Sequence, residues 1–260
     1  MIKIKVIILA GGWGTRLGKM TEIIPKPMVQ IGNKPILWHI MKIYSHYGFN
    51  DFIICLGYKG EVIKNFFYHY EMLTKDFTIN LSDNNIEYHN MIFENWKVTL
   101  VDTGLNTLKG ARVKKVEKFL KDDINMLTYG DGLADINIPK LIEFHKAHGK
   151  MITISGVHKP SRFGELYIKD GDLISFIEKP KSSRAIINGG FIVFNKKLLN
   201  YLTTDEDCDL EVGCLEKLTS KGEVMVYNHE GNWECMDHER DAIYLNELWD
   251  TKKAFWKVWE

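Results

Sequence analysis

A turn rich in glycine follows the first apolar segment of the chain. Gly11, Gly12 and Gly14 fall within four residues, directly after the apolar residues 6–9. Because glycine has no Cβ atom, the backbone N–H groups of such a turn can converge on an anion. Arg16 adds a guanidinium, which can hold phosphate oxygens through two parallel hydrogen bonds. This combination of residues predicts phosphate chemistry.

A second basic residue, Lys26, follows about ten positions later between Pro25 and Pro27. The two prolines restrict the backbone on both sides of the lysine. A dinucleotide-binding turn would need the pattern G-x-G-x-x-G and an acidic residue about twenty positions further on. Here the third spaced glycine is missing. A tight turn without a ligand would leave Arg16 and Lys26 unexplained, so phosphate binding is the preferred interpretation.

Two carboxylates that follow apolar, strand-like segments are candidate metal ligands. Asp131 comes after residues 126–129 and lies between two glycines, and Asp237 comes after residues 231–235. A Mg²⁺ ion beside phosphate groups needs few protein ligands, because it keeps water molecules and takes substrate oxygens. A strand-ending Asx turn is the alternative for Asp131. Asp135 competes as a ligand, but its position just before a predicted helix is more typical of a helix-cap approach.

Short apolar strands alternate with helix-like segments through the first 157 residues. This alternation predicts an α/β fold with a largely parallel sheet and helices on both faces. Ligands of such sheets bind at the carboxyl ends of the strands, which places residues 11–16, 102–104 and 130–131 on one rim. The predicted strands are residues 6–9, 52–56, 98–101, 126–129 and 151–157, and the predicted helices are residues 35–47, 62–70, 111–120 and 138–147.

The remaining segments have different patterns. Residues 74–95 are polar and predict a hairpin around a turn at residues 83–85. From residue 160 onward, short strands at 165–168, 173–177 and 186–194 predict a smaller β subregion that completes the site. Helical spacing of apolar residues predicts two further helices, at 209–220 and 241–253.

Composition excludes several function classes. The 260 residues include 34 basic and 34 acidic side chains, so no basic footprint for nucleic acid is present. No apolar run approaches the roughly 20 residues that a membrane span needs, and the N-terminal segment is too short and too charged for a signal peptide. The four cysteines form no C-x-x-C pair, which is typical of reduced thiols in a cytoplasm. Seven tryptophans fit a well-packed body, and we expect a cytoplasmic homo-oligomer that binds neither nucleic acid nor a membrane.

The pairing of G-G-x-G-T-R-L at residues 11–17 with P-K-P-M at residues 25–28 resembles the sugar-1-phosphate nucleotidyltransferases. The resemblance implies a Rossmann-like fold of the GT-A type, with a mixed, mostly parallel sheet. It also implies that one Mg²⁺ ion lies between Asp131 and Asp237. Glu178 and Lys179, in an E-K-P segment, and Asn188 and Gly189, in an N-x-G segment, would then contact the sugar phosphate.

Within that family, the chain is similar to the glucose-1-phosphate cytidylyltransferases nearly from end to end. The segments that carry this similarity are residues 29–41, 51–60, 98–104, 129–135 and 255–259. Thymidylyl- and uridylyltransferase relatives have a glutamine and a P-x-G-x-A-type segment where this chain has residues 102–112. The resemblance therefore implies cytidylyl transfer from CTP to α-D-glucose 1-phosphate, which yields CDP-glucose and pyrophosphate.

The resemblance also assigns roles to individual residues. It implies a single domain of residues 1–260, with a nucleotide-binding half at 1–157 and a sugar-phosphate-binding half with the C-terminal helix at 158–260. The implied catalytic residues are Arg16, Lys26 and Asp131. The implied nucleotide-binding residues are Leu9, Ala10, Gly11, Gly12, Trp13, Gly14, Thr15, Arg16, Lys26, Thr103, Thr107, Arg112 and Gly130.

Three alternatives stay open at this point. The chain could use another sugar 1-phosphate or another nucleotide, it could be a glycosyltransferase, or it could bind nucleotide without turnover. His238 stands where the family has a threonine, and residues 210–214 stand where it has a proline-leucine step. For His238 we expect a position at the start of a helix, facing solvent, and the alternative is contact with the Asp237 carboxylate.

Overall fold

A central sheet of seven strands organises the chain in the computed structural model, which describes residues 4–89, 93–159, 165–178 and 185–260. The strands are β1 (Val6–Ala10), β2 (Gln30–Ile31), β3 (Lys34–Pro35), β4 (Asp51–Leu56), β5 (Phe77–Asn80), β6 (Asn85–Tyr88), β7 (Lys97–Asp102), β8 (Ile124–Tyr129), β9 (Gly132–Ala134), β10 (Ile152–His158), β11 (Glu165–Lys169), β12 (Asp172–Ile177), β13 (Ile186–Asn195), β14 (Val224–His229) and β15 (Trp233–Cys235).

The helices lie between these strands. They are α1 (Met20–Ile23), α2 (Ile36–His46), α3 (Gly60–Tyr68), α4 (Tyr70–Thr74), α5 (Lys109–Lys115), α6 (Ile138–His148), α7 (Glu216–Ser220) and α8 (Glu239–Asp250). No helix within the described ranges is both long and apolar enough to cross a membrane.

The strand order of the central sheet is β14-β10-β13-β8-β1-β4-β7. Strands β8, β1, β4 and β7 are parallel to one another, β10 is parallel to β14, and β13 runs antiparallel to both of its neighbours. The predicted α/β fold with a mixed, mostly parallel sheet is therefore confirmed. The prediction that residues 186–194 belong to the smaller β subregion is wrong, because β13 pairs with β10 and β8 in the central sheet. Within the described ranges, β11 and β12 pair with each other alone.

Two apolar cores cover the two faces of the sheet. Successive side chains of a strand point to opposite faces, so Val6 and Ile8 lie in one core and Ile7 lies in the other. The first core contains the buried face of α2, the second contains residues of α5 and α7. Helices on both faces bury these strands completely, which explains why their sequences are continuously apolar.

The predicted hairpin of residues 74–95 is present as β5 and β6. Two predicted helices are wrong in part. The helix expected at residues 111–120 ends at Lys115, because Val116 (φ −98°, ψ 3°) leaves the helical region. The helix expected at residues 209–220 is broken, because Val212 is extended and Gly213 has φ 90°, so that regular α-helix begins only at Glu216.

Candidate active site

The glycine-rich turn leaves the sheet between two parallel neighbours. Strand β1 pairs with β4 on one side and with β8 on the other, so the turn begins at the carboxyl ends of three strands. Gly14 has φ 65°, and a Cβ atom there would lie 2.9 Å from the Cβ atom of Lys26. Thr21 donates a hydrogen bond to the Gly14 carbonyl at 3.1 Å. The turn is thus bonded to Thr21 of α1 and packs closely against Lys26.

Lys26 is the centre of a cluster of opposite charges. Its ammonium donates to a carboxylate oxygen of Asp131 at 2.6 Å and to one of Asp237 at 2.7 Å. Both oxygens contact one nitrogen atom, so the two carboxylates lie within two hydrogen-bond lengths of each other. Arg16, whose side chain is 66% exposed, donates to the second oxygen of Asp237 at 3.0 Å. Residues 105 and 211 positions away from Lys26 thus converge on it.

The electrostatics of this cluster keep its members charged. Burial alone would lower the pKa of Lys26, but the charges and hydrogen bonds of Asp131 and Asp237 raise it above its ordinary value. Burial alone would raise the pKa of Asp237, but the hydrogen bond and charge of Lys26, together with the charge of Arg16, lower it. These shifts favour the charged forms of Lys26 and Asp237, which are bonded to each other at 2.7 Å.

A short antiparallel pair brings the two aspartates together. Strand β15 pairs with β9, with Cys235 opposite Gly132, and the Met236 N–H donates to the Asp131 carbonyl at 3.0 Å. Asp131 directly precedes one of these strands, and Asp237 follows the other by two residues. Each strand has only three residues, and their pairing places both carboxylates at the same rim of the sheet.

The segment after β7 forms the wall beside the glycine-rich turn, and Arg112 organises it. This side chain is 4% exposed and donates to five acceptors. They are the carbonyls of Leu56, Gly104, Gly11 and Leu105 and the hydroxyl of Thr103, at 2.7–3.2 Å. Burial lowers the pKa of Arg112. Its guanidinium thus ties the glycine-rich turn to the loop after β7, and a direct contact with the nucleotide stays a prediction.

Two other predicted nucleotide contacts belong to the same wall. Thr103 is buried and donates to the Leu56 carbonyl at 2.6 Å. Thr107 accepts a hydrogen bond from Lys115 at 3.1 Å. At the opposite side, the Trp13 ring stacks on Tyr58 with the ring centroids 4.8 Å apart. Trp13 is 46% exposed, so it offers an aromatic surface at the mouth of the pocket.

The charged cluster, the glycine-rich turn and part of the segment after β7 line one pocket of about 770 Å³. The predicted site residues in its lining are Leu9, Ala10, Gly11, Gly12, Trp13, Gly14, Thr15, Arg16, Lys26, Thr107, Arg112, Gly130, Asp131, Asn188 and Asp237. Among the described residues, Thr103, Glu178 and Gly189 do not line it. Glu178 is exposed beyond the end of β12, and Lys179 lies outside the described residues.

Several residues of the lining have no predicted role. They are Pro27, Leu105, Asn106, Leu108, Lys109, Tyr129, Glu211, Trp233 and Cys235. Tyr129 directly precedes Gly130 and Asp131, so its position beside the predicted ligand could have indicated it. Glu211 lies in residues 210–214, which depart from the family pattern. That departure could have indicated that Glu211 has a role in the pocket. Burial raises the pKa of the Cys235 thiol to about 12, so this cysteine stays protonated in the pocket wall.

Two further residues near the cluster, His238 and Asp135, have structural roles. His238 precedes α8 as its N-cap residue, and its backbone N–H donates to the Asp241 carboxylate at 2.8 Å. Its side chain is 43% exposed, which confirms the expected position at a helix start. Asp135 accepts two hydrogen bonds from Asn232, both at 2.8 Å, and its carboxylate lies 3.0 Å from His229. It therefore holds the loop of Asn232, whereas Asn137 is the residue that caps α6.

Comparison with known proteins assigns the family. The family model described as nucleotidyl transferase matches residues 5–237. Two curated relatives, the glucose-1-phosphate cytidylyltransferases of Salmonella typhimurium and Salmonella typhi, are each 50% identical over 98% of this chain and 100% of their own length. The crystal structure of HddC from Yersinia pseudotuberculosis, complexed with GMP-PN, is 26% identical, with a TM-score of 0.68 over 96% of this chain and 100% of that chain. The chain therefore belongs to the nucleotidyl transferase family, within the group of the glucose-1-phosphate cytidylyltransferases.

Proposed function

We propose that the chain transfers a cytidylyl group from CTP to α-D-glucose 1-phosphate and releases pyrophosphate. The observation that carries this proposal is the Lys26 ammonium bonded to both Asp131 and Asp237 beside the glycine-rich turn. The cluster places a positive ammonium and two acidic side chains at the position where the phosphate groups must be bound and separated. The names of the 50% identical relatives support glucose 1-phosphate and CTP as the substrates.

The donor set around Lys26 fits a divalent metal ion. Two carboxylates already share one cation, and carboxylate oxygens together with phosphate oxygens are the ligands that Mg²⁺ prefers. Among the described residues, no group of three or more histidine, cysteine, aspartate or glutamate side chains forms a complete protein cage. Asp131 and Asp237 would hold the ion together with substrate oxygens. A bound Mg²⁺ supplies positive charge against the phosphate oxygens of both substrates.

The reaction needs positioning and charge neutralisation more than proton transfer. An oxygen of the sugar phosphate attacks the α-phosphorus of CTP, and the bond between the α-phosphorus and the bridging oxygen of pyrophosphate breaks. The attacking oxygen is already an anion, so no general base is required. Arg16 stabilises the charge that develops on the departing pyrophosphate, and Lys26 stabilises the charge around the α-phosphate.

We assign the remaining predicted contacts by the sides of the pocket. The glycine-rich turn and the loop of Thr103 and Thr107, which the Arg112 guanidinium ties to that turn, would hold the nucleotide, with the cytosine near the segment after β7. Asn188, which also lines the pocket, would contact the sugar. Glu178, Lys179 and Gly189 would complete the sugar-phosphate side.

We further propose that the enzyme is a homo-oligomer. The hairpin of β11 and β12 exposes large apolar side chains at Leu166, Ile168, Ile174 and Phe176, each more than half exposed. Exposed apolar surface of this kind is typical of a protein interface. Light scattering coupled to size exclusion should show a mass that is a multiple of 30.2 kDa. A monomer at micromolar concentration would contradict this proposal.

A product assay tests the proposed reaction. Purified enzyme is incubated with each of CTP, UTP, dTTP and GTP against glucose, galactose and mannose 1-phosphates, and nucleotide sugars are separated by chromatography. We expect CDP-glucose as the main product, complete loss of turnover with a chelator, and recovery on addition of Mg²⁺. Equal kcat/KM for CTP and UTP would contradict cytosine selectivity, because a site built for one base leaves polar groups unpaired with the other. Binding of CTP without any nucleotide sugar would identify a non-catalytic homologue.

A further inference from the structure

Four polar side chains of the pocket lining are joined to one another, and one of them, Lys109, belongs to the segment after β7. Tyr129 comes from the end of β8, Asn188 from β13, Glu211 from the irregular segment before α7, and Lys109 from the start of α5. All four line the pocket, and only Asn188 has a role in the proposed reaction. Elements that are distant in the sequence thus supply one connected polar group beside the substrate.

The hydrogen bonds among Asn188, Tyr129 and Glu211 have a fixed donor and acceptor at each step. The Tyr129 hydroxyl donates to a Glu211 carboxylate oxygen at 2.5 Å, and it accepts from the amide nitrogen of Asn188 at 3.1 Å. A carboxylate can only accept, so the single phenolic proton points to Glu211 and the phenolic oxygen is left to accept. Burial raises the pKa of Tyr129, and the charge of Glu211 raises it further, which keeps that proton in place.

This direction fixes the orientation of the Asn188 amide. Its oxygen accepts from the Gly190 N–H at 2.9 Å, while its nitrogen donates to Tyr129. A rotation of the amide by half a turn would place two donors against each other at Gly190 and would remove the donor to Tyr129. The amide nitrogen has a second hydrogen, which Tyr129 does not use, and Asn188 lines the pocket. That N–H is therefore available to a hydroxyl group of the substrate.

The backbone around Asn188 is held by packing as well. Gly190 has φ 81°, and a Cβ atom there would lie 2.7 Å from a ring carbon of Tyr129. The Trp233 indole N–H donates to the Gly189 carbonyl at 2.8 Å. Tyr129 therefore contacts this segment through both its ring and its hydroxyl.

Lys109 forms an ion pair with Glu211, the acceptor at the end of the chain. Its ammonium lies 2.7 Å from the other carboxylate oxygen of Glu211 and 3.9 Å from Asp209. Both Lys109 and Glu211 are partly buried, so this ion pair is less screened than a surface pair. The hydrogen-bonded chain thus runs from Asn188 through Tyr129 to Glu211 and ends on a fixed positive charge.

We propose that Glu211, acting through Tyr129, is a positioning residue that fixes the Asn188 amide toward the sugar and thereby sets selectivity among sugar 1-phosphates. The inference rests on the proposed function, because it requires that Asn188 contacts the sugar of the acceptor. Neither Glu211 nor Tyr129 needs to touch the reacting phosphorus. Because the Tyr129 hydroxyl bonds to Asn188 and Glu211, its loss should weaken sugar recognition and leave nucleotide recognition nearly unchanged.

The test compares KM values for the two substrates in Tyr129→Phe, Glu211→Gln and the double variant. For Tyr129→Phe we expect a rise of about tenfold in KM for glucose 1-phosphate, with KM for CTP within about twofold of wild type. The preference for glucose over galactose 1-phosphate should fall by a similar factor. Glu211→Gln should have a smaller effect in the same direction. The double variant should be no worse than Tyr129→Phe, since both residues act through one chain.

Matched controls come from exposed positions on α8. Tyr244→Phe and Glu247→Gln make the same chemical changes away from the pocket and should leave both KM values unchanged. If Tyr129→Phe proves unstable in thermal unfolding, Glu211→Gln and the rescue variant Glu211→Asp decide the question. Unchanged sugar KM in Tyr129→Phe, an equal rise in both KM values, or additive effects in the double variant would overturn the proposal. Wild-type enzyme that makes no CDP-glucose in the same assay would overturn the proposed function and this inference together.

Discussion

Two arginines line the same pocket, but Arg112 is buried and Arg16 is exposed. Arg112 is 4% exposed and donates to five acceptors of the protein itself, four of which are backbone carbonyls. Arg16 is 66% exposed and, among the described residues, has one ion pair, with Asp237. Both terminal nitrogens of the Arg112 guanidinium are hydrogen-bonded within the protein, whereas Arg16 bonds to Asp237 through one of its terminal nitrogens. The sequence predicts a phosphate contact for Arg16, and the family resemblance implies a nucleotide contact for Arg112. Their hydrogen-bond partners distinguish the residue that holds the pocket walls from the one that can bind substrate.

Among the proposed substitutions, those in the charged cluster around Lys26 should reduce kcat/KM the most. If Asp131 and Asp237 hold one metal ion, Asp131→Asn and Asp237→Asn should each lower kcat/KM on the order of a thousandfold. The double variant should fall short of the product of the two losses, because both residues serve one ion. Pyrophosphate release across a range of Mg²⁺ concentrations measures this.

Asp250→Asn, on an exposed residue at the end of α8, is the matched control and should leave activity unchanged. Fully multiplicative losses in the double variant, or a Mg²⁺ dependence equal to that of wild type, would mean that the two carboxylates act separately.

The next effect in size concerns Arg16. Arg16→Ala removes a charge-assisted contact with the leaving pyrophosphate, which should cost on the order of 2–4 kcal/mol in kcat/KM. The free energy of unfolding should stay within about 0.5 kcal/mol of wild type, because the side chain is mostly exposed. Arg240→Ala, at another exposed arginine, serves as control. Near-normal turnover of Arg16→Ala would show that Arg16 does not stabilise the departing pyrophosphate.

Substitution of Arg112 should affect stability first. Arg112→Met leaves the Gly104 and Leu105 carbonyls without their guanidinium donor, and the free energy of unfolding should fall by about 3 kcal/mol. Urea unfolding followed by circular dichroism measures the change, with Arg240→Met as the exposed control. A loss below about 1 kcal/mol would contradict a structural role for the guanidinium.

A buried titratable group provides the smallest of the four effects. Burial lowers the pKa of His39 to about 4. One ring nitrogen contacts the Ile31 carbonyl at 3.0 Å and the other accepts from the Trp256 indole at 3.3 Å, which suits the neutral ring. The unfolded state binds the proton near pH 6.5 and the folded state only near pH 4, so stability is lost as the pH falls through this window.

Between pH 7.5 and pH 5 we expect His39 to account for a loss of about 2 kcal/mol in the free energy of unfolding. His39→Gln should flatten this dependence, while His46→Gln, at the exposed end of the same helix, should not. Equal pH dependence in wild type and His39→Gln would show that other groups cause the acid sensitivity.

Five of the seven central strands, most helices and the rim that carries the pocket could be predicted from the sequence, whereas β14 was not predicted and β13 was assigned to a separate subregion. Apolar strands, glycine turns and helical spacing are local patterns, and they identify β1, β8 and the glycine-rich turn directly. The broken helix before α7 shows the limit of such patterns. Its apolar spacing is helical, but Val212 is extended and Gly213 is left-handed, and no local rule indicates this.

Long-range contacts were the other limit. Nothing near Asp131 or Asp237 predicts that β9 and β15 pair, and only resemblance to a family joined the two residues. The acceptors of Arg112 are mainly carbonyls, which every residue has, so the sequence cannot show that its donors are used. The chain from Asn188 to Glu211 was missed for the same reason, because its members come from separate elements.

One urea titration tests the distinction between the two arginines most directly. CDP-glucose formation and circular dichroism are recorded on the same samples of wild type, Arg16→Ala and Arg112→Met. We expect Arg16→Ala to unfold at the wild-type urea concentration while its activity is already low without urea, and Arg112→Met to unfold at a clearly lower concentration. A shifted midpoint in Arg16→Ala together with an unchanged midpoint in Arg112→Met would contradict the assignment of binding to one arginine and structure to the other.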